Sequence, residues 1–174
     1  MDGPKEALVI VDMLNDFCLE GAPLEVPQAK EVIPNIKRRL ENARKNGVPV
    51  IFVCDAHDPD DIEFRNWPAH SVEDSPGSKV VRELEPMPGE VVIRKKTFFG
   101  FYGTNLDAEL RKTGAEFLTI TGCVTNICVM YTATEAVVRG YKVRVPMDCV
   151  AGLSSDMHEF ALRQMREVLK AEII

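Results

Sequence analysis

Short runs dense in Val and Ile recur along this chain, each followed by an amphipathic stretch, and that alternation constrains the fold more than any other feature. The runs are "ALVIVD" (7–12), "PVIFVCD" (49–55), "EVVIRK" (90–95), "FLTITGC" (117–123), "YKVRVPMD" (141–148) and a short "AEII" (171–174). Their mostly unbroken apolar character suits strands buried on both faces, as in a parallel sheet. Helical patterns fall between them. One covers 28–46, with Ile33, Ile36, Leu40 and Ala43 on one face and Gly47 as its stop. Another begins at Thr104, an N-cap with Asp107 three residues on, and ends near Gly114. A third runs from Thr125 to Gly140, and a fourth starts at Ser154 or Ser155 and carries Phe160, Leu162, Met165 and Leu169. Such alternation predicts right-handed βαβ units in a doubly wound, mostly parallel six-stranded sheet with helices on both faces. At 174 residues, without repeats or linkers, the expectation is one α/β domain across 1–174.

Charge and cysteine usage narrow the function. The net charge is −6 and no lysine- or arginine-rich block exists, so a nucleic-acid groove or an anionic membrane surface is not expected. No apolar run approaches a membrane span, and "MDGPKEALVIVDM" lacks a basic region followed by a cleavable apolar core. The expected location is the cytoplasm. Five cysteines at 18, 54, 123, 128 and 149 form neither a disulfide framework nor a CxxC clip. For the pair in "GCVTNICVM" (122–130), core packing or a nucleophile remains.

Ligands of open α/β sheets sit beyond the carboxyl ends of the strands. Asp12 closes the first strand, Lys95 the third, and Cys128 follows the fourth across a tight turn, so the three are expected to converge. Cys128 falls in the first turn of a helix, where unpaired N–H groups and the helix dipole favour a thiolate. Asp12 can accept its proton and Lys95 can orient that carboxylate. The N–H groups of Val124 and Cys128 can face the oxygen that turns negative when sulfur attacks a carbonyl carbon. Taken singly, each residue has an ordinary reading: a packed thiol, a helix cap, a solvated basic patch. Only the trio carries the chemistry.

One segment breaks the rhythm. Residues 55–78, "DAHDPDDIEFRNWPAHSVEDSPGS", hold two of the three histidines, the only tryptophan and a crowd of acids. Long irregular loops in compact domains are often functional. Asp55 and His57 point the same way if strand geometry persists, and His70 returns after the loop. Two imidazoles and a carboxylate suit zinc, manganese or iron, with Glu63 or Asp61 as a fourth ligand. An acidic surface loop with solvated histidines fits the composition equally well.

The blocks "VIVDMLNDF" (9–17), "VIRKKTFFGFYGTNLDAEL" (92–110), "TGCVTNICVMYTATEAVVRGYKV" (121–143) and "DCVAGLSSDMHEFALRQM" (148–165) together resemble the cysteine hydrolases related to isochorismatase and nicotinamidase. That resemblance implies a triad of Asp12, Lys95 (rather than Lys96) and Cys128, and a cis peptide between Cys123 and Val124 beside the oxyanion, with Cys123 a bystander. Asp55-Ala56-His57 with Trp67-Pro68-Ala69-His70 is similar to the divalent-metal set of nicotinamidases, zinc first, with Glu63 preferred and Asp61 in reserve. Phe17 and Trp67 match residues that stack a pyridine ring there, and Phe98 and Phe101 are expected in the same substrate pocket. Leu14 departs from the glutamine that nicotinamidases commonly carry before N-D-F. The implied activity is nicotinamide hydrolysis through a thioester, in NAD salvage. Rivals are an N-carbamoyl or ureidoacrylate amidohydrolase, an isochorismatase-like hydrolase, and a non-catalytic small-molecule or metal-binding protein on the same fold. Relatives often self-associate, which makes a homo-oligomer the partner to test for.

Overall fold

A computed structural model describes residues 5–174. Strand β1 (Glu6–Val11) leads through one helical turn, α1 (Asn15–Cys18), to α2 (Ala29–Lys45), β2 (Val50–Asp55) and β3 (Val91–Lys95). Then follow α3 (Leu106–Thr113), β4 (Phe117–Cys123), α4 (Met130–Val138), β5 (Lys142–Val145), β6 (Val150–Ala151), α5 (Ser155–Glu167) and β7 (Glu172–Ile173). Among the described residues the named strands all pair in parallel, in the order β3-β2-β1-β4-β5-β7. The chain thus winds outward from β1 in one direction and from β4 in the other, and the switch point lies between those two strands.

All six expected strands are present. The seventh, β6, is a two-residue addition pairing with the end of β4, too short to produce a hydrophobic period of its own. Strand β5 stops at Val145 because Pro146 has no N–H for the ladder. On α5, Ala161, Leu162 and Met165 face the core while Phe160 is 43% exposed, contrary to the expected face. Residues 161, 162 and 165 share one side of a 3.6-residue helix, and 160 lies off it. Ser154 caps α5 as expected. In front of α3 the cap position falls to Asn105, and Thr104 Oγ1 accepts from the Leu106 N–H at 3.3 Å.

Pleating sends alternate residues of β1 into two separate cores. Ala7, Val9 and Val11 pack with side chains of α3, α4 and α5, while Leu8 and Ile10 pack with Ile36 and Leu40 of α2. Each large side chain buried in this way contributes about 1.5–3 kcal/mol. The two central strands approach closely at Gly122, where φ is +113° and a Cβ would lie 1.9 Å from the Val11 carbonyl oxygen. Only glycine fits there, one residue before Cys123. Among the described residues no helix is long and apolar enough to cross a membrane.

Candidate active site

The carboxyl ends of β1, β2, β3 and β4 deliver Asp12, Asp55, Lys95 and Cys123 to one rim of the sheet. Asp12 leaves β1 with φ +49°, a left-handed conformation that aspartate tolerates better than most residues. Its Oδ1 accepts the Asp55 N–H at 2.8 Å, and its Oδ2 lies 2.8 Å from Lys95 Nζ, a charge contact angled away from ideal hydrogen bonding. Lys95 is 1% exposed. Its ammonium donates to Asp55 and to Thr97 O and sits 3.5 Å from Cys128 Sγ. The expected trio therefore converges on one ammonium. Lys96 faces solvent and pairs with Asp58, so burial alone separates the two lysines.

Cys128 lies in a single π-helical turn, Thr125–Val129, between β4 and α4. The Cys123–Val124 peptide ahead of it is cis. Val124 O accepts from the N–H groups of Ile127 and Val129. Cys123 turns inward and donates its thiol to Asp12 O at 3.1 Å.

Burial first pushes the Cys128 thiol well above the ordinary range; Lys95 pulls it down, and Asp12 and Asp55 act in the same sense as burial. Burial, with the charge of Asp55, also pushes Asp12 up to about 6. Burial acts on Asp55 in the same sense, but Lys95 and His57 outweigh it and hold that carboxyl below its usual range.

A second cluster shares Asp55. His57 and His70 are buried with ring centroids 4.8 Å apart. His57 Nδ1 pairs with Asp61 Oδ2 at 3.0 Å, and its Nε2 has no hydrogen-bond partner and lies 3.7 Å from Asp55 Oδ2. His70 Nδ1 donates to Pro68 O at 2.7 Å, leaving Nε2 3.9 Å from Asp55 Oδ2 and 3.8 Å from Glu63 Oε1. Asp61 is thus spent orienting an imidazole, and Glu63 is the carboxylate that reaches the cluster. One donor atom each from Asp55, His57 and His70 falls within a 4.8 Å circle. Two imidazoles tied by Nδ1 and converging by Nε2, beside two carboxylates, fit a divalent cation. His57 shows the same demand for positive charge. Burial opposes its protonation, yet Asp55 and Asp61 push it up to about 9.

Thiol and cluster open on one cavity of about 310 Å³, at the small end for ligand sites. Phe17, Trp67 and Phe98 line it as expected. Phe101 does not: it is 5% exposed, packs 6.1 Å from the Tyr141 ring and lies under the Arg139 guanidinium in the core. Two residues of backbone turn separate it from the cavity face that Phe98 reaches. Leu14 is fully buried in the α2 core, so its difference from glutamine falls outside the cavity wall. Leu24, Ile127 and Leu153 complete an apolar lining that local pattern did not reveal, because they come from three segments distant in sequence. The link from Asp55 to Lys95 was available in principle, since β2 and β3 pair Asp55 with Lys95. The third histidine, His158, lies outside the cluster and pairs with the buried Thr125 hydroxyl at 2.9 Å.

A buried thiol between a carboxylate and an ammonium, at the switch point of a parallel sheet, is the equipment of an α/β thiol hydrolase. The chain belongs to the isochorismatase family: residues 6–173 match the Isochorismatase domain. It is 34% identical over 176 residues to the nicotinamidase/pyrazinamidase of Mycobacterium tuberculosis, a match covering 92% of this chain and 94% of that one. An N-carbamoylsarcosine amidase from Thermoplasma acidophilum superposes with a TM-score of 0.88 at 36% identity, over 97% of this chain and 95% of that one. The pyrazinamidase of Pyrococcus horikoshii in complex with zinc superposes at 0.91 with 32% identity, over 98% and 99%.

Proposed function

We propose that the chain hydrolyses a neutral heteroaromatic amide, nicotinamide first, to the acid and ammonia, and so feeds NAD salvage in the cytoplasm. One observation carries this choice among amides. The thiol and the cation-binding cluster open on a largely apolar cavity whose described lining includes Asp55, Glu63 and Glu25 but no Arg or Lys. Lys95 lies beneath, engaged by Asp12 and Asp55. A divalent ion would be balanced by Asp55 and Glu63, so no surplus positive charge awaits a substrate carboxylate. N-carbamoyl amino acids and ureidoacrylate carry one, and burying it unpaired is costly.

Asp55, His57, Glu63 and His70 would hold the ion, with zinc, manganese and iron all compatible with the donor set. When bound there it supplies Lewis acidity and an anchor for a substrate lone pair. The chain's own residues account for the bond changes. Asp12 takes the Cys128 proton as sulfur bonds to the amide carbon, and Lys95 keeps that carboxylate aimed. The N–H groups of Val124 and Cys128 receive the carbonyl oxygen as it becomes negative. The C–N bond then breaks, Asp12 returns the proton to the departing nitrogen, and ammonia leaves behind a thioester. Water attacks the thioester carbon, giving a proton to Asp12; the C–S bond breaks, the acid departs and the thiol is restored. A base held near 6 suits this two-way traffic at neutral pH. Phe17 and Trp67 flank the ring of the substrate.

Ammonia release from nicotinamide and from N-carbamoylglycine tests the reading. Expected is a kcat/KM ratio of at least about 100 in favour of nicotinamide, the size of an unpaired buried charge contact, and loss of both activities in Cys128→Ala. Preference for the carboxylate-bearing amide, or turnover surviving in Cys128→Ala, overturns it.

A further inference from the structure

We infer that Asp16 is the positioning residue of the cation site, acting through the backbone of Ser71 to aim both imidazoles. Asp16 touches neither the cavity nor the cluster. Its Oδ2 accepts the Ser71 N–H at 2.7 Å. Ser71 is fully buried, follows His70 directly, and is held at φ +45°, a left-handed conformation serine seldom adopts. The Ser71 carbonyl in turn accepts the His57 N–H at 3.0 Å, and His57 O accepts the Glu73 N–H at 2.9 Å. One residue therefore joins the backbones of both histidines: the Ser71 N–H, in the peptide shared with His70, is held by Asp16, and the Ser71 carbonyl, in the next peptide, holds His57. A left-handed turn at a non-glycine residue persists only where its surroundings over-determine it.

The surroundings do so here through α1. Asp16 N–H donates to Gly77 O at 3.1 Å, Asn15 N–H to Lys79 O at 2.9 Å, and Asn15 Nδ2 to Pro76 O at 2.8 Å. The turn that carries Phe17 into the cavity thereby clamps residues 70–79, and the Phe17 ring meets His70 edge-on at 5.5 Å. Gly77 presses on the same carboxylate from the far side: a Cβ there would lie 2.0 Å from Asp16 Oδ2. The easiest relief would be rotation of Asp16 away from Ser71. Two substitutions, 61 positions apart in sequence, thus remove one hydrogen bond.

This inference rests on the cation reading of the cluster, and its test needs no amide turnover. Zinc affinity is measured by competition with a chromogenic chelator on EDTA-stripped protein, alongside thermal unfolding of each metal-free form. Asp16→Ala and folded Gly77→Ala are each expected to weaken binding about 10–100-fold, the usual effect of losing an outer-shell partner. Asp16→Asn, whose Oδ1 still accepts a hydrogen bond, is expected to retain most of the affinity. A purely structural role would lower the metal-free Tm and leave zinc affinity unchanged, and that result overturns the inference. Should Asp16→Ala fail to fold, Gly77→Ala decides alone, wild-type affinity overturning the inference and weakened affinity supporting it. Wild-type protein that takes up no zinc overturns the cation reading and this inference with it; wild-type binding matched by the variants overturns only the inference.

Discussion

Replacing Lys95 with methionine removes the one cation between two buried carboxylates and should destabilise the protein severely. Donor atoms of Asp12 and Asp55 lie within 4.8 Å of each other. At an effective dielectric of about 20, two unit charges at that separation repel by roughly 3.5 kcal/mol. Removing one partner of a buried ion pair typically costs about 3–5 kcal/mol, so the two figures agree. In a chain of this size each kcal/mol moves Tm by about 2–4 °C, giving an expected drop of about 6–20 °C for Lys95→Met. The measurement is thermal and urea unfolding of metal-free protein at neutral pH, with Lys96→Met as the control. Lys96 is exposed and among the described residues pairs only with Asp58, so its loss should leave Tm near that of the wild type. The deficit of Lys95→Met should also grow with pH. Carboxylates whose folded pKa is raised contribute stability below the unfolded value, about 3.9 for aspartate, and lose it as pH rises through the folded one. A Lys95→Met variant within about 1 kcal/mol of wild type, well short of the figure for a broken buried pair, or no worse than Lys96→Met, would refute the reasoning.

Three further outcomes follow from the geometry. EDTA should abolish amide hydrolysis and lower Tm, and zinc or manganese at 100 times its Kd should restore about 2.7 kcal/mol of stability, read by calorimetry with and without metal. Phe101→Ala should cost about 3–5 kcal/mol as a core truncation with KM nearly unchanged, whereas Phe98→Ala should raise KM with a smaller stability loss; unfolding and steady-state kinetics separate them. Arg44 forms a two-point contact with Glu90 that, against the opposing effect of partial burial, holds Glu90 below the usual carboxylate range. That contribution is present above the unfolded pKa of about 4.3 and lost as pH falls through the lowered value. A Tm series from neutral to acid pH should therefore fall more steeply in wild type than in Glu90→Gln, by about 1 kcal/mol, the upper end for a pair near the surface.

Strand–helix alternation was legible because both-face burial leaves continuous Val/Ile runs, and a parallel sheet then brings strand ends to one rim. Asp12, Lys95 and Cys128 could be singled out on that basis, since each sits at or just past such an end. Its spacing to His57 marks Asp55 as a metal ligand alone. Its second contact, with Lys95, depends on which strands are neighbours, and that follows from topology rather than from local spacing. Phe98 and Phe101, three residues apart in an irregular stretch without periodicity, carried no signal about which would face the cavity. Glu63 and Asp61 were equally acidic on paper. Only the backbone path of 57–70 sends one to the cluster and the other to the back of His57. Helix position bears on the Cys128 thiol locally, whereas the burial and the two carboxylates that push it up come from other strands. Ser71 and Gly77 look like ordinary loop residues until the approach of Asp16 is known.

Amide hydrolysis by this chain stands or falls on sulfur chemistry at one position. Acid-quenching the wild-type protein during nicotinamide turnover, followed by peptide mass mapping, tests it directly. Predicted is an acyl adduct on the peptide bearing Cys128, assigned to that sulfur rather than to Cys123 and chased away by continued incubation. Turnover accompanied by an adduct on another residue, or turnover that persists with no adduct and survives Cys128→Ala, would contradict it.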